Sequence, residues 1–209
     1  VAVFLPDQST EDKKTFAEIA QEIAFAKSLD HENVMRTHGL ECFDRGWARI
    51  VDYGDGEPLS ALIDAAGEND TQVPLPFAAR IMIDLCEGSK YAHAHGKEAQ
   101  GQARWIHGGL QPKTVMVSFS GIAKLTGYGA STLANAGEDT LSPYTPPEQL
   151  FGGLETATQA SDVYSLGAIL FTLLSNRAPF EEAANLDSAI MTEKPKAPEL
   201  EGQGAALLE

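Results

Sequence analysis

Positive charge is scarce in this chain. Its 209 residues hold 15 Lys and Arg against 30 Asp and Glu, a formal net charge of -15. Nucleic acid and anionic membranes both need Lys and Arg to neutralise phosphate, so both are disfavoured as partners. An ATP site is weakened on the same ground, unless a local basic pocket overrides the global charge. Cysteine is also scarce. Cys42 and Cys86 show no metal-ligand spacing and no disulfide framework, so a reducing cytoplasm is the expected compartment. Cys86 lies in an apolar helical run and is expected to be a buried thiol. Long hydrophobic runs are missing. The longest, Val163–Leu174, is interrupted by Ser165, Gly167 and Thr172 and is too short to span a bilayer. No signal peptide is legible. The first residue is Val, which fits a fragment of a longer protein.

What is present describes a globular fold. Hydrophobic residues make up 43% of the chain and charged residues 22%, enough for one good-sized core or two small lobes sharing one. VAVFLP, Val1–Pro6, reads as a short buried strand. Ser9-Thr10-Glu11-Asp12 fits a capping box ahead of a helix that carries Phe16, Ile19 and Ile23 to about Leu29. Two strands follow between Val34 and Tyr53, split at Phe43–Gly46. Gly54–Pro58 reads as a turn or linker and Leu59–Ala66 as a short helix. Pro76 opens a long helix to about His95, with Phe77, Ile81 and Leu85 on one face. A polar insertion spans Lys97–Arg104. Thr114–Phe119 and Ile122–Leu125 alternate as strands around Ser120-Gly121. Ala130–Thr145 reads as a loop. Ser161 is the expected cap of a helix, Val163–Leu174, apolar all round and therefore in the core. The tail from Lys194 is rich in Pro and Gly.

The order of motifs is more specific than any one of them. VAVF is followed by Glu22, then by His31-Glu32-Asn33-Val34 and by Ile50-Val51-Asp52-Tyr53. Further on come Tyr91-Ala92-His93, Ile106-His107, Lys124-Leu125-Thr126-Gly127-Tyr128-Gly129, Pro146-Pro147-Glu148-Gln149-Leu150, Ser161-Asp162-Val163-Tyr164-Ser165-Leu166-Gly167 and Asn176-Arg177-Ala178-Pro179-Phe180. This series resembles the bacterial serine/threonine protein kinase family over nearly the whole chain. The resemblance implies an α+β, protein kinase-like two-lobed fold. Residues 1–53 would form a partial N-lobe and 54–209 a mainly helical C-lobe. The fold would be truncated, without the glycine-rich loop strands and the last C-lobe helices.

The family's chemistry needs a lysine on the phosphates, an Asp as base, and an Asn and a second Asp on magnesium. By the resemblance those positions fall on Phe4, Gly109, Thr114 and Gly127, and the loop lysine on Gln111. No carboxylate lies between Ile106 and Ser131. Phe4 is expected as a core aromatic on an inward strand face, its ring filling space that phosphates would need. The positions that serve the scaffold persist: Glu22, His107, Tyr128, Glu148 and Asp162. Asp162 matches the residue that hydrogen-bonds the catalytic-loop backbone, and Glu148 is expected to lack its arginine partner. Glu22 reads either as a solvated helix carboxylate or as a partner for Lys124 or another base.

A catalytically inactive pseudokinase, acting as a scaffold or regulatory module, is the expectation, with no cofactor and no metal. His93, His95 and His107 invite a metal reading, but His93 and His95 point in different directions and no Cys or carboxylate joins them at ligand spacing. The partner is expected to be a protein with a basic patch, met in the groove between lobes or along 127–148. Trp105, Thr140, Ser142 and Tyr144 are the candidate contacts or phosphorylation positions, with Ser131, Thr132 and Thr145 beside them. Trp47 is expected to pack between strands. The alternative is a nucleotide-binding switch through the backbone of Val51, Asp52 and Tyr53. Less favoured is an atypical transferase with Lys13, Lys14 or Lys113 relocated onto phosphate.

Overall fold

The computed structural model describes residues 1–5, 13–98 (side chains to 95), 106–130 and 141–196. The capping box at Ser9–Asp12, most of the polar insertion, Trp105, Ser131, Thr132, Thr140 and the tail beyond 196 lie outside the described residues.

The first half opens on a three-stranded antiparallel sheet. Strands β1 (Ala2–Phe4), β2 (Thr37–Phe43) and β3 (Gly46–Val51) are ordered β1-β3-β2. Helix α1 (Lys13–Ser28) crosses it. The spacing of Phe16, Ile19 and Ile23 puts all three on one helical face. That face meets Leu5, Leu40 and Trp47 in a small apolar cluster, with the Phe16 and Trp47 rings 5.1 Å apart. Trp47 therefore joins the helix to the sheet.

The second half is mainly helical around a second antiparallel sheet, β4 (Gly56–Pro58), β5 (Val115–Ser118) and β6 (Ala123–Leu125). Its helices are α2 (Leu59–Glu68), α3 (Leu75–Glu98), the single turn α4 (Gln149–Gly152), α5 (Gln159–Ser175) and α6 (Leu186–Thr192). The main core collects Phe25 from α1 and Leu29 just after it, Ile81 and Leu85 from α3, Val115 and Leu125 from the sheet, and Ile169 and Leu173 from α5. The segment after α1 stitches the halves together. Met35 N donates to Leu125 O, and Leu125 N to Asn33 O, both at 2.8 Å. Asn33 Nδ2 donates to Ala123 O at 3.0 Å. Gly88 of α3 makes room for this crossing, since a Cβ there would sit 2.7 Å from Asn33 O.

Several local expectations are corrected. β1 is not a buried strand: Val1, Val3 and Phe4 are exposed, because the strand is short and at the edge of the described sheet, and only Leu5 reaches α1. Phe4 is 39% exposed and lies edge-on to Phe43 at 5.8 Å, with the Arg45 guanidinium 5.2 Å over its ring. It is a half-covered surface aromatic, not a core one. Phe77, expected on the buried face of α3, stays partly exposed. Cys86 is exposed. The buried stripe of α3 runs through Ala78, Ile81, Leu85 and Ala92, and Cys86 is a third of a turn away from it. Gly54–Pro58 is more than a linker, because Gly56–Pro58 forms β4. The cap of α5 is Thr158. Its side chain accepts from Ala160 N, and Ser161 accepts from Thr158 N at 2.8 Å. Nor is α5 buried all round: Val163 is 63% exposed on its outer face and Leu170 is partly so.

Candidate functional site

The site is built around one buried carboxylate. Asp162 sits in the first turn of α5, where the helix dipole favours negative charge. One of its oxygens, Oδ1, accepts from Gly108 N at 2.9 Å. The other, Oδ2, accepts from His107 N at 2.9 Å and from His93 Nε2 of α3 at 2.7 Å. Gln149 of α4 closes the frame by donating from Nε2 to Gly108 O at 3.0 Å. The backbone of residue 108 is thus held on both its N–H and its C=O by side chains from below. His95, two residues beyond His93, turns away to Ser28 Oγ at 3.1 Å.

His107 extends the frame toward the first sheet. Its Nε2–H donates to Thr126 O at 2.6 Å, while Nδ1 is buried without a partner. Burial lowers its pKa, with the Asp162 charge acting in the opposite direction, so the ring is neutral with its proton on Nε2. The ring meets Tyr128 edge to face at 4.8 Å. Burial, then the Asp162 charge, raises the pKa of the Tyr128 hydroxyl well above the ordinary phenol value, with Ser89 acting in the opposite direction. From the other side Arg49 of β3 reaches over. It is 9% exposed, and its Nη1 donates to Tyr128 O at 2.6 Å. Burial lowers its pKa, yet an arginine stays charged. Next along the chain, Gly129 has φ +80, and a Cβ would lie 2.9 Å from Ala26 Cβ and 3.0 Å from Glu22 O. Only glycine lets segment 127–129 press against α1 this closely.

The positions beside this frame carry no charged side chain at Gly109, Gln111, Thr114 or Gly127. Among the described residues, nothing lies within 4 Å of a Cβ added at Gly109. The Thr114 side chain is turned back onto the backbone of Gln111: Thr114 Oγ1 donates to Gln111 O at 2.9 Å and accepts from Gln111 N at 3.0 Å. Gly127 has φ +95, with His107 Nε2 3.3 Å from an added Cβ. The hinge is closely packed, because Met116 and Met35 approach within 3.1–3.3 Å of a Cβ added at Gly54. Lys13, Lys14 and Lys113 are exposed.

The outer residues fall into place around α5. The Glu148 carboxylate accepts from Ser161 Oγ. Tyr144 docks its segment on α5: its hydroxyl meets Thr172 Oγ1 at 3.0 Å, and Ser165 Oγ donates to Tyr144 O at 2.8 Å. Ser142 Oγ accepts from Tyr144 N at 3.3 Å.

The protein kinase domain family matches residues 2–203. The chain belongs to that family. The serine/threonine-protein kinase PrkC of Bacillus subtilis is 29% identical over 186 residues, 86% of this chain and 26% of its own length. A probable serine/threonine-protein kinase PknB of Lactococcus lactis is 30% identical over 171 residues, 77% of this chain and 25% of its own. The tyrosine-protein kinase MasK of Myxococcus xanthus is 26% identical over 172 residues. The chain spans about a quarter of the length of these relatives. The kinase family implies nucleotide and magnesium in the cleft. The donor set fits magnesium poorly, because residues 106–130 offer it no carboxylate and the Thr114 hydroxyl is used within its own loop. No described helix is long and apolar enough to cross a membrane.

The resemblance gave Asp162 to the loop backbone and His107 and Tyr128 to a contact between the lobes; Asp162 accepts from His107 N and Gly108 N, and the two rings meet at 4.8 Å. Sequence reasoning missed Arg49, and it named His93 and Gln149 only as motif residues, His93 also in a metal reading set aside, without their bonds to Asp162 and to Gly108 O. The signal for Arg49 was in plain view: a lone arginine inside the apolar strand Trp47–Val51.

Proposed function

We propose that this kinase-family chain is a pseudokinase whose role is to bind a protein partner and not to transfer phosphate. The observation that carries the reading is the contrast at residues 107–109. The loop backbone is fixed by Asp162 and Gln149, while the next position, Gly109, presents open space where the family's base would stand. Phosphoryl transfer depends on positioning and on charge neutralisation. The frame supplies the first, and Phe4, Gly109, Thr114 and Gly127 supply no group for the second. The excess of acidic residues suits a partner with a basic surface.

Thermal unfolding with and without ATP, crossed with magnesium and EDTA, tests the reading. With ATP at about 1 mM, a dissociation constant of about 10 μM would add roughly 2.7 kcal/mol. That is a rise of roughly 5–10 °C at this size. No shift in any condition is expected. A shift without magnesium favours a nucleotide-responsive switch. A shift that requires magnesium, followed by phosphate transfer to a protein substrate, refutes the proposal.

A further inference from the structure

Two of the most exposed large side chains stand on adjoining segments at the hinge. Tyr53 follows β3 and is 79% exposed, and Phe119 follows β5 and is 81% exposed. Neither ring serves its own backbone. Phe119 sits at the first corner of a tight turn, closed by Gly121 N donating to Ser118 O at 2.9 Å. Ser118 Oγ reinforces that turn by accepting from Ile122 N at 3.1 Å. Such a turn calls for small polar residues, not for a phenyl ring. Tyr53 lies between two fixed neighbours. Asp52 N donates to Arg36 O at 3.0 Å, and Gly54 lies against Met116 and Met35.

The two segments are locked to each other. Gly56 pairs with Ser118, and Phe119 N donates to Asp55 O at 3.1 Å. A Cβ at Gly56 would fall 2.0 Å from Val117 O, so the contact requires glycine. Both rings are carried on backbone already ordered in the free protein, which lowers the entropy lost on binding. The surroundings are acidic. Asp52, Asp55 and Glu57 are exposed, and residues 52–57 hold no Lys or Arg. The basic groups beside this stretch are Arg36, whose carbonyl accepts from Asp52 N and whose guanidinium pairs with Asp30 at 3.1 Å, His38, paired with Asp52 at 2.6 Å, and Lys124 of β6, two strands from Pro58.

We propose that this hinge-side face docks an arginine-bearing segment of a partner protein. A guanidinium stacks on one of the exposed rings and pairs with Asp55 or Glu57, a combination that lysine or a neutral peptide matches less well. A second copy of the chain is a poor occupant, because two acidic faces would meet. The proposal rests on the interaction-module reading and gives it a location.

The test is an NMR titration of the ¹⁵N-labelled protein with a short peptide of alternating arginine and leucine. A peptide with glutamate in place of arginine is the control. The variant Tyr53→Ser/Phe119→Ser keeps every charge and alters only solvent-exposed rings. Amide shifts concentrated at 52–57 and 117–121, with affinity reduced about tenfold in the variant, are expected. Shifts spread over the acidic surface and unchanged in the variant would overturn the proposal in favour of bulk charge attraction. Shifts concentrated at 141–148 would overturn the location and leave the interaction-module reading standing. Concentration-dependent broadening without peptide, relieved in the variant, would assign the face to a second copy and overturn it as well. Phosphate transfer from ATP, measured separately, would sink the underlying reading whatever the peptide does.

Discussion

Replacing Arg49 with methionine is the sharpest test of how the two halves are held. The stem volume is nearly kept, so the change isolates the guanidinium. Two effects compete. Removing a buried cation relieves a desolvation penalty, and such replacements can be neutral or stabilising. Removing it also leaves the Tyr128 carbonyl without the charge-assisted donor that meets it at 2.6 Å. A buried acceptor left unsatisfied costs about 1–3 kcal/mol. The carbonyl sits beside the His107–Tyr128 contact and one residue before Gly129, where α1 closes off other partners. The second effect should win by a smaller net margin, about 1 kcal/mol, which lowers the melting temperature by roughly 2–4 °C at this size. Arg49→Lys keeps the charge but not the planar reach and should fall between. Calorimetry reads both. If Arg49→Met melts at or above the parent temperature, the latch between β3 and residue 128 contributes nothing net, and the account of how the halves are joined is wrong.

Other outcomes follow from the same frame. His107 is neutral in the fold because burial lowers its pKa, whereas an unfolded histidine titrates near about 6.5. The unfolded state therefore binds more protons in acid. The contribution is fully present above about pH 6.5 and is lost as pH falls, at no more than about 1.4 kcal/mol per pH unit. Urea unfolding at neutral and acid pH should show a smaller acid loss in His107→Phe than in the parent; equal losses would contradict it. Gly129→Ala should destabilise by about 1–3 kcal/mol, since it meets both a positive φ and the 2.9 Å contact with Ala26. Gly109→Ala, in open space, should stay within about 0.5 kcal/mol, and a similar cost at both glycines would undo the distinction.

Helix periodicity and motif order made the architecture legible. The Phe16–Ile19–Ile23 stripe, the Phe43–Gly46 turn and the Ser120-Gly121 hairpin all lie where their residues placed them. The errors came from environment, which a single chain does not carry. Val1–Phe4 has the composition of a buried strand, but its edge position leaves it exposed. Cys86 is apolar enough for the core, yet the phase of α3 turns it outward. Serine suits a cap and Ser161 has the sequence of one, but Thr158 three residues earlier takes that place, leaving Ser161 to answer Glu148. Asp162 was assigned through resemblance, and its third partner, His93, needed the fold to bring α3 beside α5.

Because the loop at 107–109 takes its shape from Asp162 and Gln149 beneath it, the space above Gly109 is a vacant mounting point. A single cysteine introduced there, in a background with the exposed Cys42 and Cys86 replaced, would carry a small environment-sensitive dye without altering what anchors the loop. The dye would sit on the open side of the anchored loop. The protein would then report, by colour, anything that settles beside residue 109, and could be used to screen candidate ligands without assuming any chemistry for them.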